Sequence, residues 1–241
     1  MTEDQSLQEN GNKTIGTFVA EDYRTAAVFE KYGIDFCCGG QATLAATCQE
    51  KNLDLTKILQ EIEIVGKEPV GHNENFTAWP LPFLIDYIVN THHVYLKEND
   101  EQIAAYAHKT AEVHGAHHPE VIKIASIFAK IATDMAAHLT EEEEIFFPAI
   151  KRAEAAVSSG KNPDAQDRSL IKSELEKLRR DHEEIGDAIH RIRHLAKDYA
   201  IPKDACNTFV VTYRKLKEFE EDLHKHVHLE NNILFLKAVQ L

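Results

Sequence analysis

Apolar residues recur with helical spacing in two parts of the chain, which a polar segment separates. Within residues 1–65 the apolar clusters are short and predict three short helices, the first of which ends at Gly33. Residues 66–78 are polar, contain Gly and Pro and show no periodicity, as is typical of a linker. Residues 79–241 form a second domain with four helical segments, at 81–108, 119–157, 168–199 and 202–239.

The four long segments predict an all-α fold with an antiparallel four-helix bundle, because only short breaks join successive helices. The 241 residues include only 10 Gly and 7 Pro, which argues against a turn-rich all-β fold. Ten apolar residues at helical spacing are expected to form the core of the bundle: Leu84, Ile88, Ile122, Ile127, Ile131, Leu175, Ile185, Ile189, Leu216 and Leu223.

Charge and apolar runs exclude several classes of function. There are 27 Lys and Arg against 40 Asp and Glu, and the net charge of −13 opposes binding to nucleic acid. No run of about 18 apolar residues could span a membrane, and the polar start MTEDQSLQEN lacks the apolar segment of a signal peptide. Four Cys, two of them adjacent, are no disulfide framework, so we expect a cytoplasmic protein.

A motif is repeated in the second domain. The pattern H-x-x-x-E-x-x-I-x-F begins at His138 and again at His226, 88 residues later. Another His lies 45 residues before the first copy and 44 before the second. Each half therefore offers one His on its first helix and a His/Glu pair on its second. The six candidate ligands are His93, His138, Glu142, His182, His226 and Glu230.

The spacing of this motif predicts a dinuclear metal site. Residues four apart share one face of a helix, so each His/Glu pair can point at one centre. Carboxylates inside a bundle need compensation, which divalent metals supply. The mixed nitrogen and oxygen donors suit iron, manganese or zinc and exclude calcium. We favour iron for redox chemistry, although spacing alone does not distinguish iron from zinc.

Other histidines compete for these roles. We prefer His93 to its neighbour His92 because Val89 and Leu96 place His93 on an apolar stripe. His114 is expected to be the one further His near the site. Six further histidines are expected at the surface: His117, His118, His190, His194, His224 and His228.

Cys37 and Cys38 form a pair of adjacent thiols. We expect them just before a helix N-terminus, where the helix dipole lowers a thiol pKa. A redox or metal-transfer role and a purely structural role, with Gly39 and Gly40 serving the turn, both remain open. Cys48 and Cys206 look like ordinary small apolar residues.

These motifs together resemble those of the RIC (repair of iron centres) family. The resemblance rests on DFCCGG at 35–40, RRDHEEIG around His182 and HVHLENN at 226–232, and it extends from Thr14 to Ala238. It implies a hemerythrin-like bundle with two non-haem, oxo-bridged irons per chain, and ligands at the six residues of the repeat. The cysteine pair of the family matches Cys37 and Cys38, and a further His of the family matches His114, either as a ligand or as a hydrogen-bond donor to a ligand. Leu236 stands where the family often has Pro, which affects no ligand.

The resemblance further implies repair of iron–sulfur clusters damaged by oxidative or nitrosative stress. Damaged iron–sulfur proteins would be the clients, and the protein would donate iron rather than act as a classified catalyst. Two alternatives remain: a sensor or store of O₂ or NO, and a reductase of NO or peroxide. A homodimer is expected, because a domain of about 65 residues is marginally stable alone.

Overall fold

The computed structural model describes residues 10–67 and 75–241. The polar start of the chain and most of the expected linker at 66–78 lie outside these residues. The chain divides into two compact units, one of Met1–Pro80 with Val227–Gln240 and the other of Leu81–His226 with Leu241. Helices dominate both units, and the described residues contain no β-strand beyond a bridge between Thr14 and Thr43.

The N-terminal residues form short helices: α1 (Ile15–Glu21), α2 (Ala26–Lys31), α3 (Leu44–Lys51) and α4 (Leu55–Lys67). Thr14 caps α1 by accepting the Thr17 N–H, and Thr43 caps α3 by accepting the Ala46 N–H. Asn52 ends α3 with a left-handed backbone at φ 54°. Short 3₁₀ turns lie at Tyr23–Thr25, Gly39–Gln41 and Phe76–Ala78.

Four long helices follow, and the all-α antiparallel bundle is confirmed. Three of the four are interrupted by one π-helical turn. The first consists of α5 (Leu81–Ile88), π1 (Val89–His93) and α6 (Val94–His114), and the second of α7 (Pro119–Glu141), π2 (Glu142–Phe146) and α8 (Phe147–Ser158). The third is α9 (Ala165–Leu195), and the fourth consists of α10 (Asn207–Leu229), π3 (Glu230–Leu234) and α11 (Phe235–Ala238).

The core of the bundle contains eight of the ten expected residues, and two expectations were wrong. Ile122 is 52% exposed and Ile127 is half-buried. The buried stripe of α7 instead follows Val121, Ile124 and Phe128, so Ile122 lies one position off the stripe. No helix in the described part of the chain has the length and apolar composition needed to cross a bilayer.

Candidate metal centre and cysteine loop

The π turns lie at candidate ligands. Turn π1 ends at His93, π2 begins at Glu142 and π3 begins at Glu230. A π turn inserts an extra residue into an α-helix, and such turns occur frequently at functional sites. The local backbone of all three helices is therefore adjusted where a candidate ligand leaves it.

Two histidine pairs flank the carboxylate of Glu142. Nε2 of His93 lies 3.1 Å from Nε2 of His226, and 3.5 Å from Oε2 of Glu142. On the other side, Nε2 of His138 lies 3.0 Å from Nε2 of His182, and 3.4 Å from Oε1 of Glu142. All five side chains are buried. Each oxygen of Glu142 therefore faces a different pair of imidazoles.

This donor set fits bound cations. Glu142 is fully buried, and neither of its carboxylate oxygens has a hydrogen-bond partner among the described residues. Such a carboxylate is costly without a compensating cation. Two nitrogens each about 2.1 Å from one ion lie about 3.0 Å apart at a right angle and about 3.4 Å apart at a tetrahedral angle. The observed Nε2 separations of 3.0 and 3.1 Å correspond to the right angle.

Glu230 occupies the matching position in the second copy of the motif. It lies one turn beyond His226 on the continuing helix. Its side chain is completely buried.

Carboxylates outside this cluster lie beside two of the imidazoles. Nδ1 of His93 lies 2.8 Å from Oε1 of Glu143, whose two oxygens also accept hydrogen bonds of 2.7 and 2.8 Å from Lys97. Partial burial raises the pKa of Glu143, but the hydrogen bonds from Lys97 and His93 bring that pKa below its ordinary value. Nδ1 of His138 lies 3.5 Å from Asp181, and this interaction lowers the pKa of Asp181. Such partners fix the ring orientation of metal-binding histidines.

The cysteine loop, residues 35–40, does not give Cys37 the lowered pKa that the sequence predicted. The backbone N–H groups of Cys37 and Cys38 donate to Oδ1 of Asp35 at 2.9 and 3.0 Å. Only a 3₁₀ turn follows, and α3 begins later, at Leu44. The adjacent Cys38, burial and the carboxylate of Asp35 raise the pKa of Cys37 well above its ordinary value. The predicted dipole effect was therefore wrong for Cys37.

Asn232 holds the cysteine loop against the end of the chain's own last helix. Its Nδ2 donates to the carbonyls of Phe36 and Cys37, both at 3.1 Å, and its Oδ1 accepts from Gln41 at 2.9 Å. A Cβ on Gly40 would lie 2.5 Å from Oδ1 of Asn232, and one on Gly16 would lie 2.4 Å away. Gly40 is therefore required by this close approach, not only by the turn.

Both parts of the chain match models of known protein families. Residues 84–238 match the family model of the hemerythrin HHE cation binding domain, and residues 11–65 match a domain of unknown function, DUF542. The iron-sulfur cluster repair protein ScdA of Staphylococcus epidermidis is 34% identical over 91% of this chain and 95% of its own length. This chain belongs to the ScdA family of hemerythrin-like proteins. The resemblance inferred from the sequence motifs is confirmed.

Other relatives in the family match over the same span. ScdA of Staphylococcus haemolyticus is 32% identical over 94% of this chain and 98% of its own length. The iron-sulfur cluster repair protein YtfE of Yersinia pestis is 29% identical over 95% of this chain and 97% of its own length. The similarity to ScdA proteins therefore includes both the cysteine loop and the cation-binding domain.

His92 and His114 lie outside the cluster around Glu142. His92 is buried, its Nδ1 lies 2.9 Å from Asp222, and its ring stacks on His226. His114 ends α6, about 30 Å along that helix from His93. Its Nε2 lies 3.0 Å from Sγ of Cys206. The expectation that His114 lies near the candidate ligands was wrong, because its helix carries it to the far end of the bundle.

Three other residues also differ from expectation. Cys206 is exposed, and the backbone N–H of Phe209 together with His114 lowers its pKa to about 7. His224 and His228 were expected at the surface and are buried. His228 packs between the rings of Tyr23 and Phe36, and burial lowers its pKa to about 3. Helical periodicity does not reveal these neighbours, because they come from distant parts of the chain.

Proposed function

We propose that this chain repairs damaged iron–sulfur clusters by donating iron from the His/Glu site of its bundle. The observation that carries the proposal is the fully buried carboxylate of Glu142, whose two oxygens face two separate pairs of imidazoles. Relatives over nearly the whole chain are named iron-sulfur cluster repair proteins. Their clients, damaged iron–sulfur proteins, are proposed as partners here too.

The proposed ligands are the six residues of the repeat. His93 and His226 would hold one iron, and His138 and His182 the other. Glu142 would bridge the two, and Glu230 would be the second bridge because it repeats the place of Glu142 one turn after a His. The mixed imidazole and carboxylate donors suit iron. Bound iron would supply redox chemistry and is also the cargo.

The residues of the site are suited to releasing that cargo. Four neutral imidazoles and two carboxylates leave two divalent ions only partly neutralised, so they hold iron less tightly than a carboxylate-rich site would. Glu143 and Lys97 keep His93 oriented while the site is filled and emptied. Cys37 and Cys38 are proposed to accept iron or supply electrons. The proposed setting is the cytoplasm, and the expected homodimer stays a prediction.

Transfer of labelled iron tests this function. The full-length protein, loaded with isotopically labelled iron, is incubated with an iron–sulfur enzyme whose cluster nitric oxide or peroxide has damaged. We expect the enzyme to regain activity while labelled iron moves into it. The Glu142→Ala, Glu230→Ala double variant should give neither result.

Other outcomes would identify a different function. Repair that proceeds while all the labelled iron stays on the protein would contradict donation. Repeated turnover of nitric oxide or peroxide with an electron donor would show a reductase. A spectral change on exposure to gas, with iron retained and no repair, would show a sensor.

A further inference from the structure

A second group of metal-binding side chains lies in the cysteine loop, away from the repeated motif. Sγ of Cys37 lies 3.2 Å from Oδ1 of Asp35 and 3.9 Å from Sγ of Cys38. The three side chains offer ligand atoms that all lie within 4.8 Å of one another. Two thiols and one carboxylate form a donor set different in kind from the imidazoles and carboxylates of the bundle.

We propose that Asp35, Cys37 and Cys38 form a mononuclear site for a divalent transition metal, with Asp35 as the third ligand. Its use as the first acceptor of iron leaving the bundle rests on the proposed function. Its ability to bind a metal does not, because all three ligands belong to the loop.

The distances within the loop suit one tetrahedral ion. Two sulfurs each about 2.3 Å from such an ion lie about 3.8 Å apart, and a sulfur and a carboxylate oxygen lie about 3.6 Å apart. The observed separations are 3.9 Å between the sulfurs and 3.2 Å between Cys37 Sγ and Asp35 Oδ1. Shifts of a few tenths of an ångström would therefore complete the site.

The loop is held in place and remains accessible. Asn232 fixes the carbonyls of Phe36 and Cys37, so the ligands need little ordering when a metal binds. Cys37 is buried, whereas Asp35 and Cys38 are half-buried and reach solvent. Three protein ligands leave the fourth position of a tetrahedral ion open to a client's ligand, as transfer requires.

Metal binding at this site is an exchange of protons for an ion. Each thiol loses its proton as its sulfur binds the metal, so two protons are released for one divalent ion. The ion keeps its charge, and no electron donor or acceptor is needed. Formation of a Cys37–Cys38 disulfide would compete with this step, so the site requires reduced protein.

Cobalt(II) titration of the reduced full-length protein tests the proposal. Sulfur-to-cobalt charge-transfer absorption reports thiolate ligands only, so the His/Glu site of the bundle does not contribute. We expect one equivalent of this absorption in the wild type and its loss in Cys37→Ser and Cys38→Ser. Asp35→Asn should weaken cobalt binding at least tenfold, because the amide keeps an acceptor for the Cys37 and Cys38 N–H groups but loses the charge. Cys206→Ser, which removes the thiol beside His114, should match the wild type.

Several results would overturn the inference. No charge-transfer absorption in reduced wild type would exclude the site, and unchanged affinity in Asp35→Asn would exclude Asp35 as a ligand. Loss of the absorption in Cys206→Ser would assign the absorption to Cys206 and not to the cysteine loop. Because Cys38 is only half-buried, Cys38→Ser is expected to fold normally, and circular dichroism checks that it does. Iron content of the bundle, measured in the same variants, separates failure here from failure of the proposed function.

Discussion

The turns π2 and π3 begin alike and then differ. Each starts with a fully buried Glu four residues after a buried His. In π2 two carboxylates follow, Glu143 and Glu144, whereas in π3 two amides follow, Asn231 and Asn232. The His and Glu that the two copies share are the residues expected to bind metal. The two residues after the Glu differ, and they determine which other parts of the protein each turn contacts.

The chemistry of those contacts explains the difference. The negative charge of Glu143 strengthens both of its interactions, the hydrogen bond that it accepts from the Lys97 ammonium and the contact with Nδ1 of His93. Asn232 donates to two backbone carbonyls and accepts from Gln41, which a carboxylate could not do. The first copy of the motif thus orients a candidate ligand, and the second copy holds the cysteine loop.

Removing the shared carboxylate should have the largest effect on both turns. We expect Glu142→Ala and Glu230→Ala each to lose most of the bound metal, because each removes one of the two proposed bridging carboxylates. Elemental analysis of the purified variants measures this. Glu144→Ala changes an exposed carboxylate of the same turn and should retain wild-type metal content. If either single variant kept its full metal complement, the two turns would not be equivalent.

The repeat also pairs unlike residues on its first helices. Asp100 follows His93 by seven residues, as Ile189 follows His182, and both are buried. Burial raises the pKa of Asp100 to about 7 from 3.8. The unfolded chain therefore ionises this carboxyl at a lower pH than the folded protein does. Between pH 4 and 7, wild type should lose stability relative to Asp100→Asn, by about 4 kcal/mol in total.

Urea unfolding at several pH values measures that difference in the free energy of unfolding. Below about pH 3, where the carboxyl is protonated in both states, the difference should show no further change with pH. A difference between wild type and Asp100→Asn that is independent of pH throughout would show that Asp100 ionises normally in the folded protein.

Local spacing explains what could be predicted, and distant contacts explain what could not. The His/Glu positions follow from residues four apart and from the repeat, so the bundle and its candidate ligands were accessible from the sequence. The π turns were not, because the shift of one position that an inserted residue makes is too small to recognise in a short stretch of helical periodicity. The hydrogen bond between Gln41 and Asn232 joins residues 191 apart, which no local pattern indicates. His114 was misplaced because it lies 21 residues beyond His93 on one continuous helix.

Substitution of two neighbouring glycines tests whether Asn232 of π3 holds the cysteine loop. A Cβ on Gly40 would collide with Asn232, whereas a Cβ on Gly39 would lie 3.5 Å from Asp35, an ordinary contact. We expect Gly40→Ala to destabilise the docked loop by about 1–3 kcal/mol and to increase alkylation of the buried Cys37. Mass spectrometry of the alkylated protein measures this, with Gly39→Ala as the matched control. Equal alkylation in the two variants would show that Asn232 does not hold the loop.

The smallest effect is expected from removing the charge of Glu143, whose place in π3 is taken by Asn231. Glu143→Gln keeps an acceptor for His93 but loses the charge paired with Lys97, so metal affinity should fall about tenfold. Competition with a chelator measures the affinity. Glu141→Gln, which alters a neighbouring carboxylate paired with Lys177 instead, should leave the affinity unchanged. Equal affinities in both variants would remove Glu143 from the metal site.

The metal content of the protein as purified, compared with that of the Glu142→Ala, Glu230→Ala double variant, tests the central claim most directly. The account predicts two irons per chain in the wild type and their loss in a double variant that is still folded. Zinc, or no metal in a correctly folded wild type, would contradict both the di-iron site and the donation of iron.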